Sequence, residues 1–142
     1  MNPKLLLRIA SGLLVFHLLG HINGHMNWKA LADPAKGDVV SKMTNQKFLF
    51  MGSERSMGDY FEGYGWVVSI ALVFMAMILW FFSGSLMQNK KLSLKVLTTL
   101  CIALFVWCAD EFIYFFPFAA GITLLAAICT LMATIQVKNQ KV

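Results

Sequence analysis

The chain has 142 residues, 58% of them hydrophobic, and a formal net charge of +5 from 12 Lys and Arg against 7 Asp and Glu. A mean hydropathy of +0.68 is too high for a soluble domain of this length and suits four membrane spans with short connections, so a single integral membrane domain over residues 1–142 is expected. The basic balance does not indicate nucleic acid, because the cations sit beside the apolar runs and never form a stripe with aromatics between them.

Four apolar stretches, about residues 3–25, 60–83, 92–115 and 117–137, each come near the ~20 residues that a helix needs to cross a bilayer. The predicted fold is all-α: a four-helix transmembrane bundle running up-down-up-down, with a short amphipathic helical cap between helices 1 and 2. Four crossings place both termini on one side with Lys4, Arg8, Lys90, Lys91, Lys95, Lys138 and Lys141. The other side holds Lys29, Lys36, Lys42, Lys47 and Arg55 together with every acid: Asp33, Asp38, Glu54, Asp59, Glu62, Asp110 and Glu111. The excess of cations beside the termini orients them toward the cytoplasm, which predicts a multi-pass protein of a cytoplasmic membrane.

The first stretch begins like a signal peptide, and Ala30-Leu31-Ala32 imitates a cleavage site. Arg8 and three histidines interrupt the apolar run, so it reads as a retained span. Two stripes run along it at a spacing of four, which puts each on one helix face. Gly12, Phe16, Gly20 and Gly24 form a small-residue stripe expected to receive a neighbouring helix; Leu13, His17, His21 and His25 flank it.

In the connection that follows, Asp33 and Pro34 read as N-cap and first helical residue. Val39, Val40, Met43, Phe50 and Met51 then recur at near-helical spacing, which predicts one or two amphipathic helices against the membrane surface. A connection of this length is commonly a functional lid. The second span carries Trp80, Phe81 and Phe82 near its inner end, as aromatic belts do. The third stays apolar until Cys108, Ala109, Asp110 and Glu111, and turns at Pro117 into an uncharged fourth. Cys101, Cys108 and Cys129 all fall inside spans and read as small buried residues without a disulfide framework.

At 1.5 Å rise per residue, His21 and Asp110 each lie roughly 24 Å along their spans from the inner boundary, and Glu62 lies about a turn below the outer end of the second. His17, His21, His25, Glu62, Asp110 and Glu111 thus come to comparable depth from three helices. Ionisable groups in a membrane usually face the bundle interior and pair. The expectation is an outward-opening polar pocket in which His21, Glu62 and Asp110 converge.

Three chemistries suit such a pocket. It can bind a small apolar or amphipathic molecule, or perform acid/base chemistry on one, with partly buried carboxyls as proton donors and aromatics as walls. It can hold zinc on His17, His21 and His25, whose i, i+4 spacing presents two imidazoles to one ion; copper(I) would use Met26, Met43, Met51 and Met57 as well, although no cofactor is required by the sequence. It can also be structural, in a non-enzymatic subunit whose glycine stripe packs against a membrane partner or a second copy. Arg55 and Asp59, four apart, can pair on one helix as a polar rim beside Tyr60 and Tyr64.

The segment from Val39 to Gly65 resembles a family of small four-helix bacterial inner-membrane proteins. The residues carrying the resemblance are Gly20 and His21 late in helix 1, then Met43, Phe48, Gly52, Arg55, Ser56, Asp59, Tyr60, Phe61, Gly63, Tyr64 and Gly65. Met57 and Gly58 depart from it, standing where aromatics are usual. The resemblance covers about the first half of the chain and implies fold and location without an activity. It draws attention to His21, Arg55 and Asp59 as the centre of the ligand-binding set His17, His21, Arg55, Asp59, Glu62, Asp110 and Glu111.

Overall fold

A computed structural model describes residues 2–30 and 33–140; Leu31 and Ala32 of the imitation cleavage site lie outside the described residues. Of the described residues, 82% are helical. Among the described residues, four helices are long and apolar enough to cross a membrane: α1 (Pro3–Met26), α3 (Met57–Ser85), α4 (Lys90–Tyr114) and α5 (Pro117–Asn139). Only 33% to 44% of each apolar window is buried within the protein. The remaining apolar surface is therefore of the kind that acyl chains, not water, would cover. Two compact units are distinguished, Met1–Leu18 with Leu72–Val142, and Leu19–Ala71.

In the first unit, α4 and α5 pack as an antiparallel pair turned by Phe115, Phe116 and Pro117, with the proline at the start of α5 where its missing N–H costs nothing. The buried face of α5 is made mainly of Ala119, Ala120, Thr123, Ala126, Ala127, Thr130 and Ala133, small side chains that allow α4 to approach closely. Two of the three cysteines use this closeness: Cys108 Sγ donates to the Ala120 carbonyl at 3.4 Å and Cys101 Sγ reaches the Ala127 carbonyl at 4.0 Å. On α1, Leu6, Leu7, Ala10, Leu14 and His17 face inward, and Ser11 Oγ donates to the Ala76 carbonyl at 2.8 Å. At the basic end Arg8 lies over the Trp80 ring, 4.9 Å from its centroid.

The second unit holds the connection. Asp33 caps α2 (Pro34–Asn45) by accepting from Ala35 N at 2.9 Å, with Pro34 as the first helical residue, as the sequence predicts. The second half of the cap differs from expectation. Residues 47–56 form a hairpin and not a helix: β1 (Lys47–Phe50) pairs antiparallel with β2 (Ser53–Ser56), Phe48 opposite Arg55 and Phe50 opposite Ser53. Helical spacing is overridden because Met51 and Gly52 both take positive φ, 49° and 79°, the combination that a tight two-residue hairpin turn requires. Helix α3 then opens on a reciprocal cap: Ser56 N donates to Asp59 Oδ2 at 2.8 Å and Asp59 N donates to Ser56 Oγ at 3.1 Å.

The departure at Met57-Gly58 has a physical reason here. A Cβ on Gly58 would lie 3.0 Å from Thr44 Cγ2 and 3.2 Å from the Met43 carbonyl, so glycine lets the end of α2 rest on the start of α3. The glycine stripe of α1 is the opposite case. A Cβ at Gly12, Gly20 or Gly24 meets nothing within 4 Å, so these residues do not serve the close helix approach expected of them. The inward face of α1 is the histidine stripe.

Candidate functional site

The stripe sends its imidazoles to different partners. His17, buried past the middle of α1, places Nε2 3.3 Å from Glu111 Oε1 and Nδ1 3.1 Å from Thr123 Oγ1. Glu111 is 4% exposed, and its Oε1 also accepts from Trp107 Nε1 at 3.0 Å. A carboxylate, an imidazole, an indole N–H and a hydroxyl from α1, α4 and α5 thus meet inside the first unit. Pairing and hydrogen bonding of this kind are what make buried ionisable groups tolerable. Asp110, the neighbouring carboxylate, is exposed. One residue turns a helix by about 100°, so only one member of the Asp-Glu pair can face the core.

In the second unit the C-terminal end of α1 is fastened to the first turns of α3. His21 Nε2 lies 2.9 Å from the Gly65 carbonyl; a carbonyl only accepts, so Nε2 carries the proton. Ser69 Oγ donates to the same oxygen at 3.0 Å. His25 is buried, edge-on to Trp66 with centroids 5.2 Å apart and parallel to His21 at 6.0 Å. Its Nε2 lies 3.3 Å from Glu62 Oε2, while Glu62 Oε1 receives Lys29 Nζ at 2.8 Å and Trp28 Nε1 at 3.0 Å. A side chain at Gly65 would overlap the His25 ring, so the glycine is a condition of this contact.

Arg55 and Asp59 lie elsewhere in the second unit, around an open depression of about 500 Å³. Phe50 and Met51 at the hairpin tip and Val67 on α3 are its apolar wall; Tyr60 and Tyr64 stand between, rings 6.4 Å apart. Phe48 stacks on Tyr60 from the hairpin side, centroids 6.0 Å apart and planes within 5°. The direct Arg55–Asp59 helix pair expected from their spacing is not formed. Arg55 belongs to β2, outside the helix, and its Nη1 donates to the Glu54 carbonyl at 2.9 Å; the Asp59 carboxylate is engaged in capping α3. Both remain exposed at the rim. A second depression, about 460 Å³, lies at the ends of α1 and α5; its described lining is Asn2, Pro3, Gln136, Asn139 and Gln140, none of them charged.

The structure therefore joins His17 to Glu111, His25 to Glu62, and Arg55 with Asp59 around one depression, while His21 bonds to backbone. The partners that the sequence did not single out are Trp28, Trp107 and Thr123; Lys29 entered only as a cation of the α1–α2 connection and Gly65 only through the resemblance. Trp107 carried a usable signal, lying four residues before Glu111 on the same helix face. Among the described residues, no group of three or more His, Cys, Asp or Glu is placed to hold a metal ion. Each imidazole instead meets its own partner on a neighbouring helix. Comparison with protein-family models, with curated proteins and with solved structures finds no match.

Proposed function

We propose that this is a multi-pass protein of a bacterial inner membrane, both termini cytoplasmic, whose outward-facing depression beside the hairpin binds a small amphipathic ligand. The observation that carries the reading is the composition of that depression: Arg55 and Asp59 at one rim, Phe50, Met51 and Val67 as an apolar wall, and two tyrosines between. A molecule with a charged or zwitterionic head and an apolar body matches this gradient. Tyrosine suits the transition because its ring is apolar and its hydroxyl is polar. The charge asymmetry of the sequence supports the orientation, and the resemblance to small inner-membrane proteins is in keeping with it. His17, His21, Glu62 and Glu111 act in this reading as the framework that fixes α1 and its neighbours.

A photoreactive amino acid at Val67, irradiated in cells, tests it. The expected adduct is an amphiphile that is depleted by Arg55→Ala and by Tyr60→Ala. The reading fails if Val67 yields the same adducts as Ile102, an exposed apolar position of α4 that samples bulk lipid.

A further inference from the structure

The hairpin tip is apolar and nearly bare. Met51 is 90% exposed and Leu49 78%, while Phe50 is more than half exposed. An exposed apolar strand edge in water invites pairing with other chains, and such edges are normally blunted by charge or proline. Here β1 reads Lys-Phe-Leu-Phe and is followed in the turn by Met51, held at positive φ. A non-glycine residue rarely adopts that conformation, and in this turn it sets a methionine at the outermost point.

The depth of the tip can be read from α3. Glu62 is the last charged residue of this helix; from Gly63 to Ser85 it has none. At 1.5 Å per residue this run measures about 34 Å, against about 30 Å for the hydrocarbon of a bilayer. The hydrocarbon boundary consequently falls near Gly63 to Trp66, where Tyr64 and Trp66 stand exposed in the manner of interfacial aromatics. Val67 lies just inside it. Phe50 and Met51 line the same depression as Val67, so the hairpin descends along α3 until its tip meets the level at which acyl chains begin. Its other end, with Lys47 opposite Ser56, stays at the start of α3.

We propose that the Leu49-Phe50-Met51 tip is inserted into the bilayer leaflet on the side of the α1–α3 connection, with its side chains at the boundary of headgroups and acyl chains. The backbone limits how deep it goes. Both strands are open edges, and open edges do not occur within hydrocarbon because their N–H and C=O groups need water or headgroup partners. Side chains reach in while the ladder stays at headgroup level. Lys47 and Arg55 are then placed to meet lipid phosphates. The depression between tip and α3 opens sideways into the leaflet, which gives an amphipathic ligand a route that avoids water.

Nitroxide labels at Leu49→Cys and Met51→Cys, with the native cysteines replaced by alanine and the protein in phosphatidylcholine vesicles containing phosphatidylglycerol, test the proposal. Collisions with oxygen and with a water-soluble nickel chelate are compared with Lys36→Cys on α2 and Ile70→Cys on α3. The expected result is a several-fold loss of nickel accessibility at 49 and 51 relative to 36, with oxygen accessibility near that of 70. Nickel access equal to that at 36, or exclusion of both reagents as under a covering protein, overturns it. Should one label prevent folding, the other carries the same reading, since Leu49 and Met51 are read independently. The insertion rests on the membrane placement of α3 and not on occupancy of the depression: nickel access at 70 would reject the membrane placement itself, whereas loss of the Val67 adduct would leave the tip result standing.

Discussion

Glu111→Ala is expected to destabilise the protein by about 3–5 kcal/mol, the usual consequence of removing one partner from a buried ion pair. The carboxylate is almost fully enclosed, and it answers both the His17 imidazole at 3.3 Å and the Trp107 indole at 3.0 Å. Without it, His17 keeps Thr123 on one nitrogen and loses its carboxylate on the other. Glu111→Gln should be milder, because an amide oxygen still accepts from Trp107. The informative variant is His17→Leu combined with Glu111→Leu. An apolar pair of similar volume dispenses with the desolvation of both groups, and such replacements are often neutral or stabilising. The double variant is therefore expected to recover most of the loss, apart from about 1 kcal/mol for the unanswered Trp107 N–H. Equilibrium unfolding in mild detergent, arranged as a double-mutant cycle, measures this coupling. Additive effects of the two single variants would mean that His17 and Glu111 do not act as a pair.

That pair shows where the sequence was legible. Leu97, Cys101, Leu104, Cys108 and Glu111 recur at spacings of four and three along α4, and all are buried. Glu111 simply continues the core stripe, while Asp110 falls off it. Reading the two acids by depth alone could not separate them; reading them by helix face does. The spans were legible for an equally plain reason: a helix satisfies its own backbone across hydrocarbon, and a long apolar run gives it side chains suited to that depth. Their ends were less so. Helix α3 begins at Met57 because of the Ser56–Asp59 cap, a reciprocal hydrogen bond between residues that the sequence also allows to serve as a polar rim. The hairpin was hidden by Met51, because tight turns of this type normally advertise themselves with asparagine or aspartate before glycine. The stripe of glycines misled for a different reason: glycine at helical spacing marks a face that could be approached, and whether a neighbour occupies it is decided elsewhere in the chain.

Gly65, like Gly58, is a glycine on which a close approach does depend, and the effect of substituting it should invert in sign with its neighbour. In the native chain, Gly65→Ala forces a methyl group into the His25 ring. That ring cannot yield easily, being held by Glu62 at 3.3 Å, by the perpendicular ring of Trp66 and by the parallel ring of His21. Overpacking of a tight contact costs about 1–3 kcal/mol, against which alanine returns up to about 1 kcal/mol of helix propensity. The expected net effect is a loss of about 1–2 kcal/mol, with Gly65→Val worse because it adds bulk and a β-branch. In a His25→Ala background the obstacle is gone, and Gly65→Ala should then stabilise relative to that background. Gly20→Ala supplies the comparison. Nothing lies within 4 Å of its Cβ, so it is expected to be neutral or mildly stabilising in either background. Unfolding midpoints of these variants in the same detergent decide the matter: a loss from Gly65→Ala that persisted undiminished without His25 would show that the helices meet there through some other contact.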